Sequence, residues 1–258
     1  MVKGLYTAYT GMINEQHRMD TLTNNLANST TIGYKKEGST SQSFDSVLAF
    51  KLKDSTDAPN IPRRIGINTP GVKIGENYTD YSQGSFKITD NPCDLALSGD
   101  GFFCIEFTGK SGETSTKYTR DGSFSLTTDG YLVTKNGDFV LGNNGHIKLD
   151  PTRDLRVLSD GTIEQEEKVV DKIRLADFED YDYLKKYGEN LLEPVEGATF
   201  KDATGKIYEG YLEMSNVNIV TEMVDLIAIT RQYEANQKVI RTIDETLEKA
   251  ANQNGRLS

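Results

Sequence analysis

Residues 226–250 read LIAITRQYEANQKVIRTIDETLEKA, and their period decides the fold. Leu226, Tyr233, Ile240 and Leu247 recur at every seventh position, with Ile229, Ile243 and Ala250 between them, so one face of a helix is apolar over many turns. Just upstream stands Ser215-Asn216-Val217-Asn218, where Asn218 suits an N-cap and Glu222 places negative charge near the positive helix end. A helix from Thr221 to about Asn252 is then on the order of 45 Å long at 1.5 Å per residue. The opposite end of the chain carries the same period: Leu5, Met12, Met19 and Leu26, with Ala8 and Leu22 on the alternate positions. Glu15 interrupts the first stripe and Asn236 the second, each at a position where a simple coiled coil would place an apolar side chain. Two terminal helices of one period suggest that the termini meet and enclose what lies between them, the layout of a filament subunit. Periodicity alone equally suits two helices that each cover a sheet in an ordinary domain.

Between the helices the text is β. Runs such as Asp94-Leu95-Ala96-Leu97, Phe102-Phe103-Cys104-Ile105, Tyr131-Leu132-Val133 and Phe139-Val140-Leu141 are separated by turn pairs. Those pairs are Asp100-Gly101, Asp121-Gly122, Asp129-Gly130, Asn136-Gly137, Asn144-Gly145 and Asp160-Gly161, which favour tight hairpins because both central residues tolerate positive φ. They lack the Asp-x-Asp-x-Asp-Gly spacing of a calcium loop. Gly99-Asp100-Gly101 leads into a strand, so it is no phosphate cradle. The fold class read from the chain is therefore α+β: long terminal helices forming a coiled-coil layer around a central antiparallel β domain. The expected divisions are 1–36 for the N-terminal helix, 37–68 for an extended linker with Pro59 and Pro62, 69–211 for the β domain and 212–258 for the C-terminal helix.

Composition narrows the function. The chain has 258 residues and a formal charge of −10, which offers no basic face to nucleic acid. No apolar run is long enough to span a membrane, and Asn14, Glu15, Gln16, His17, Arg18 and Asp20 occupy the place a cleaved signal's apolar core would need. Cys93 and Cys104 form no disulfide framework and no metal spacing, and read as two lone thiols. His17 and His146 stand outside any recognisable constellation, so no cofactor, metal or catalytic residue is expected. After the first helix, Asn24, Asn25, Asn28, Ser29, Thr30, Thr31 and Gly33 read as a helix stop, with Asn28 in a left-handed cap and Gly33 in a conformation other residues dislike. Read as a hinge outside the β core, Gly33 changed to Val should misdirect the chain and impair assembly while leaving that domain's melting temperature nearly unchanged. A protease-resistant core of about residues 37 to 215 is expected for the same reason.

Three separated segments carry a family resemblance. Gly4-Leu5-Tyr6-Thr7, Gly11-Met12 and the run Asn24 to Lys35, with Tyr34, resemble the N-terminal signature of bacterial flagellar rod and hook proteins. Gly210 to Asn218, with Ser215, Asn216 and Val217, then Glu222-Met223, Arg231, Tyr233-Glu234-Ala235-Asn236 and Lys238 resemble that family's other end. Asp94 to Phe103 and Tyr118 to Phe124 are similar to the start of its β domain. The resemblance implies an axial protein without enzymatic activity, exported uncleaved through the flagellar type III apparatus and polymerised with itself and with other rod and hook proteins in the basal body. It implies subunit packing by Leu5, Met12, Met19, Leu22, Leu26, Leu226, Ile229, Tyr233, Ile240, Ile243 and Leu247. The length suits a distal rod subunit or its close proximal-rod relative, with a hook-type subunit as the alternative. A peptidoglycan-cutting enzyme would need a paired acid and base, for which the sequence offers no candidate.

Overall fold

The computed structural model describes residues 2–51, 63–109, 112–166, 168–188 and 190–254, so Pro59 and Pro62 lie outside the described residues. The chain divides into two compact units. A helical unit comprises Met1–Leu26, Glu37–Thr79 and Ile219–Ser258, and a β unit comprises Ala27–Lys36 and Asp80–Asn218.

The helical unit contains α1 (Val2–Ala27) and α2 (Ile219–Asn254), the second within two residues of both expected ends, the first ending nine residues short of the division at 36. Between them in sequence lies structure where an extended linker was expected. Glu37–Ser43 pairs antiparallel with Val72–Thr79, and Val47–Lys51 pairs with Arg63–Asn68. The segment EGSTSQS, residues 37–43, gave no strand signal because it has no apolar alternation; its side chains are mostly exposed. Backbone pairing and contacts with α1 hold it instead: Asn14 Nδ2 donates to Ser41 Oγ at 3.0 Å, and Thr10 Oγ1 lies where a Cβ on Gly71 would sit.

The β unit is antiparallel throughout. Its main sheet runs, edge to edge, Leu184–Tyr187, Leu191–Pro194, Thr114–Thr119, Phe102–Thr108, Phe139–Gly142, Leu132–Thr134 and Phe124–Leu126. Leu155–Val157, Thr162–Gln165 and Lys168–Lys172 make a three-stranded sheet. Two short pairs, Leu95–Ser98 with Lys206–Glu209 and Phe86–Ile88 with Tyr211–Glu213, bind the chain on either side of the β sequence to each other.

The apolar run at residues 102–105 is continuous because that strand is covered on both faces. Phe103 and Ile105 point into a large core with Leu95, Leu97, Phe124, Leu132, Val140, Ile147, Ile163, Ile173 and Ile207. Phe102 and Cys104 point the other way, into a second cluster with Tyr118, Phe178 and Leu192. Burial pushes the Cys104 thiol up to about 11, the neighbouring Arg174 opposing it, so Cys104 behaves as a small core hydrophobe. Cys93 and Cys104 are both free thiols.

Of the six turn pairs, Asp129-Gly130, Asn136-Gly137, Asn144-Gly145 and Asp160-Gly161 join strands that pair with each other, and each glycine has positive φ. The other two do not make hairpins. Leu95–Ser98 pairs with a distant strand rather than with Phe102–Thr108 across Asp100-Gly101. Gly122 is there for space: a Cβ on it would collide with the Leu95 carbonyl, which lies opposite because Leu95 N donates to Gly122 O at 3.0 Å.

The burial pattern sets an expected contrast. Phe103→Ala should cost about 3–5 kcal/mol in chemical denaturation of the β unit, because the site is sealed on all sides and a cavity would remain. Val169→Ala, at a side chain 65% exposed, should stay within about 0.5 kcal/mol of the parent.

Candidate functional site: the helix pair and the polar clasp

In the helical unit the two terminal helices lie side by side and antiparallel. A Cβ on Gly4 would lie 3.6 Å from Ile243 Cδ1, and one on Gly11 would lie 3.1 Å from Asn236 Nδ2. With the Gln232 amide turned so that its nitrogen faces the carboxylate, it donates to both Glu15 oxygens at 3.3 Å. Asn25 Nδ2 donates to Glu222 Oε2 at 3.3 Å, deep in the pair. These contacts step one residue down α2 for each residue up α1. On α2 the residues withdrawn from solvent are Glu222, Leu226, Ile229, Tyr233, Asn236, Ile240 and Ile243, the seven-residue period of the sequence, with Thr230 beside them, while Leu247 is exposed.

On α1 the line of contact runs through Gly4, Gly11, Glu15 and Asn25: Gly4, Gly11 and Asn25 stand one position before Leu5, Met12 and Leu26, and Glu15 lies in the row of Ala8 and Leu22. The apolar row is half-buried beside that line. Glycine carries the contact because a helix surface without side chains lets the partner come close.

Asn25 is wholly buried and does more than end a helix. Its Nδ2 donates to Glu37 O at 2.8 Å and its Oδ1 accepts from Glu37 N at 2.9 Å, fixing the first residue of the strand ribbon against α1. Asn24 is exposed.

The rest of the Asn-rich motif belongs to the β unit. Gly33 takes φ 69°, as expected, and its N–H donates to Glu213 O at 2.8 Å. Asn28 does not adopt positive φ, which among described residues other than glycine occurs at Asp90 and Glu166; its carbonyl and side-chain oxygens instead accept from Thr31 N and Thr31 Oγ1. Tyr34 is buried with Lys186 Nζ 4.4 Å over its ring, and that ammonium also donates to Lys35 O.

Lys35 is the centre of the arrangement. Its Nζ lies 2.7 Å from Glu213 Oε1, whose other oxygen lies 3.4 Å from Arg120 Nη1, and all three side chains are buried. Glu213 Oε1 also accepts from Gly84 N at 3.0 Å, Lys35 donates to Ser82 O, and Arg120 donates to Gly99 O. Burial holds Lys35 below the usual lysine range, and the attraction of Glu213 recovers only part of that loss.

Beside this cluster Asn216 closes a clasp. Its Oδ1 accepts from Lys36 N at 2.8 Å and its Nδ2 donates to Asp80 O at 2.8 Å, while Asp80 N donates to Lys36 O at 2.8 Å. Residues 36, 80 and 216 stand next to three of the four places where the chain passes between its two units. Ser215 Oγ accepts from Val217 N, and Val217 is buried. Sequence reasoning named Asn216 and its neighbours but missed Lys35, Arg120, Glu213 and Asn14. The available signal was a lone acidic residue in the alternating run Tyr211-Leu212-Glu213-Met214.

A cleft of about 610 Å³ in the β unit is lined by Thr30, Thr31, Asp121, Thr134, Tyr187 and Asn190 among others. Among the described lining residues Asp121 is the one carboxylate, and it is engaged by Ser123 N, Ser123 Oγ and Asn190 Nδ2.

Comparison with known proteins bears on the whole length. Three family models match: one described as a flagella basal body rod protein over residues 5–35, a flagellar hook protein FlgE/F/G D1 domain over 96–165, and a flagellar basal body rod FlgEFG protein C-terminal region over 208–254. The flagellar basal-body rod protein FlgG of Bacillus subtilis is 34% identical, across 98% of this chain and 99% of that protein. The chain belongs to the flagellar basal-body rod protein family. FlgG of Buchnera aphidicola subsp. Baizongia pistaciae is 32% identical across 96% of this chain and 98% of its own. The flagellar hook-basal body complex protein FlhO of Bacillus subtilis is 29% identical over the full length of both. In this rod-family chain the N-terminal model ends at residue 35 and so takes in Asn25, Gly33 and Lys35, while the C-terminal one takes in Glu213, Asn216 and α2.

The geometry reverses the expectation for Gly33. A Cβ there would stand 2.5 Å from Asp121 N and 2.7 Å from Arg120 C, inside the β unit. Gly33→Val should therefore lower the β unit's melting temperature by several degrees, since it combines strain with a backbone collision. Glu213→Ala should cost about 3–5 kcal/mol by leaving two buried cations without their carboxylate, as denaturant titration would read. The resistant core should likewise include 27–36, retained with 80–218 under native conditions after any cut within 37–79.

Proposed function

We propose that this chain is a structural subunit of the flagellar basal-body rod, the shaft that links motor to hook, and that it polymerises helically through its terminal helices. The observation that carries this reading is the pairing of the two chain ends in one antiparallel helix pair, in a chain whose full length aligns with rod proteins. In the assembled shaft the helical units form an inner coiled-coil layer and the β units an outer one. The half-buried row Leu5, Met12, Met19 and Leu26 offers neighbouring copies apolar surface beside the intrachain seam, at roughly 1.5–3 kcal/mol for each large side chain fully buried. Many such contacts along the shaft turn weak individual contacts into a stiff whole.

The chain reaches that place uncleaved, through the flagellar type III apparatus, and its partners are its own copies and other rod and hook proteins. No described helix is long and apolar enough to cross a membrane. A distal-rod position is the favoured one, since FlgG proteins of several bacteria align with the chain from end to end. No catalytic chemistry is assigned to it.

Electron microscopy of basal bodies from cells carrying a tagged copy tests the reading: label should decorate the rod, and label confined to the hook would favour a hook-type subunit instead. Ile240→Asp places a charge on the helix seam and should leave the β unit's melting unchanged while abolishing rod and hook assembly. Normal motility with that change would contradict polymerisation through these helices.

A further inference from the structure

Arg120 and Asn190, both in the β unit, each keep one polar atom in reserve. Arg120 is 5% exposed and its terminal nitrogens are engaged: Nη2 donates to Gly99 O at 2.8 Å and Nη1 to Glu213 Oε2 at 3.4 Å. Asn190 Nδ2 donates to Ile32 O at 2.9 Å and to Asp121 Oδ2 at 3.3 Å. Among the described residues, Arg120 Nε and Asn190 Oδ1 are buried without a hydrogen-bond partner. The first is a donor and the second an acceptor. Turning the amide over does not relieve Asn190, because its oxygen would then face the Ile32 carbonyl and the Asp121 carboxylate.

Both residues line one small cavity of about 10 Å³, with Gly33, Lys35, Phe102 and Lys186 around it. Asn190 also lines the larger cleft, as do Ile32 and Asp121, the two partners of its nitrogen. The amide therefore stands as a partition, its nitrogen toward the cleft and its oxygen toward the cavity. A space of this size holds a single water molecule. Cavities that stay dry have apolar walls, whereas this wall carries a guanidinium N–H and an amide oxygen. A metal cation would be repelled by Lys35, Arg120 and Lys186, and a halide by the amide oxygen. Water satisfies both atoms at once.

We propose that this cavity is a binding site for one structural water, which accepts from Arg120 Nε–H and donates to Asn190 Oδ1. The water joins the buried ion cluster to the segment before it. From Glu213 the chain of hydrogen bonds runs through Arg120, the water and Asn190 to the carbonyl of Ile32, the residue that precedes Gly33. Arg120 thus holds residues 32–35 at two points, through Glu213 to Lys35 and through the water to Ile32. The site is independent of the chain's place in the rod.

Crystals of the full chain grown with sodium bromide and measured at atomic resolution test the assignment. The expected result is a density peak without anomalous signal, within roughly 2.7–3.2 Å of both Arg120 Nε and Asn190 Oδ1. Anomalous scattering from bromide at the site, a direct hydrogen bond between the two side chains, or an absence of density would each overturn it. Arg120→Lys keeps a cation beside Glu213 but has no Nε–H to offer. In crystals of that variant the peak should fall below half its wild-type occupancy, and undiminished occupancy would overturn the role of Arg120 as donor. If the variant fails to fold, the wild-type map decides alone.

Discussion

The buried carboxylate of Glu213, held between Lys35 and Arg120, is the contact on which the β unit's arrangement turns. Three ionised side chains in a site this dry are costly to assemble, and apolar residues of equal volume could give as much stability. What the charges add is intolerance of error: each lacks an alternative partner of comparable quality, so a misplaced segment strands a buried ion at several kcal/mol. The lowered pKa of Lys35 registers that cost directly, since burial outweighs the attraction of Glu213. Lys35 and Glu213 are 178 residues apart, so the contact ties together segments distant in sequence.

Two asparagines extend the same control to consecutive residues. Asn25 binds both backbone groups of Glu37 in the helical unit, and Asn216 binds Lys36 and Asp80 in the β unit. Each position needs a donor and an acceptor within one short side chain, which Asp and Leu lack and which Gln carries one bond too far out. Lys36 is thus held within the β unit and Glu37 within the helical unit, each by an asparagine of its own unit.

What the sequence displayed and what it concealed follow from the same chemistry. Both helices and four of the six turn pairs were legible because apolar period and positive φ leave unmistakable local marks. On α1 the Ala8–Leu22 row, which includes Glu15, was legible as well, but the row of Gly4, Gly11 and Asn25 was not. Rows 4-11-18-25 and 5-12-19-26 share one period, so periodicity does not choose between them, and apolar content favours the leucines and methionines over the glycines that make the approach. The strand at Glu37–Ser43 has no apolar alternation to read, and the residues at 52–62 lie outside the description. Lys35, Arg120 and Glu213 look like surface residues until the fold buries them, because charge carries no sign of its eventual partner. The family resemblance drew attention to the right segments without saying which atoms in them act.

The polar residues that mar the apolar period then acquire a purpose. A purely apolar seam between two antiparallel helices slides by one heptad at little cost, since every leucine or isoleucine finds an equivalent neighbour. Here a slip of seven residues would set Asn25 against Ile229 and drive Ile243 onto Gly11, removing Glu222 from its amide partner. Each buried group left unsatisfied costs about 1–3 kcal/mol, so the slipped pair lies well above the native one. Glu15 with Gln232, Asn236 over Gly11 and Asn25 with Glu222 are distributed along the pair, so the register is checked at three heights. In a shaft that carries torque, shear along the helices is the motion to suppress. Specific polar contacts resist it where oily ones would only lubricate it.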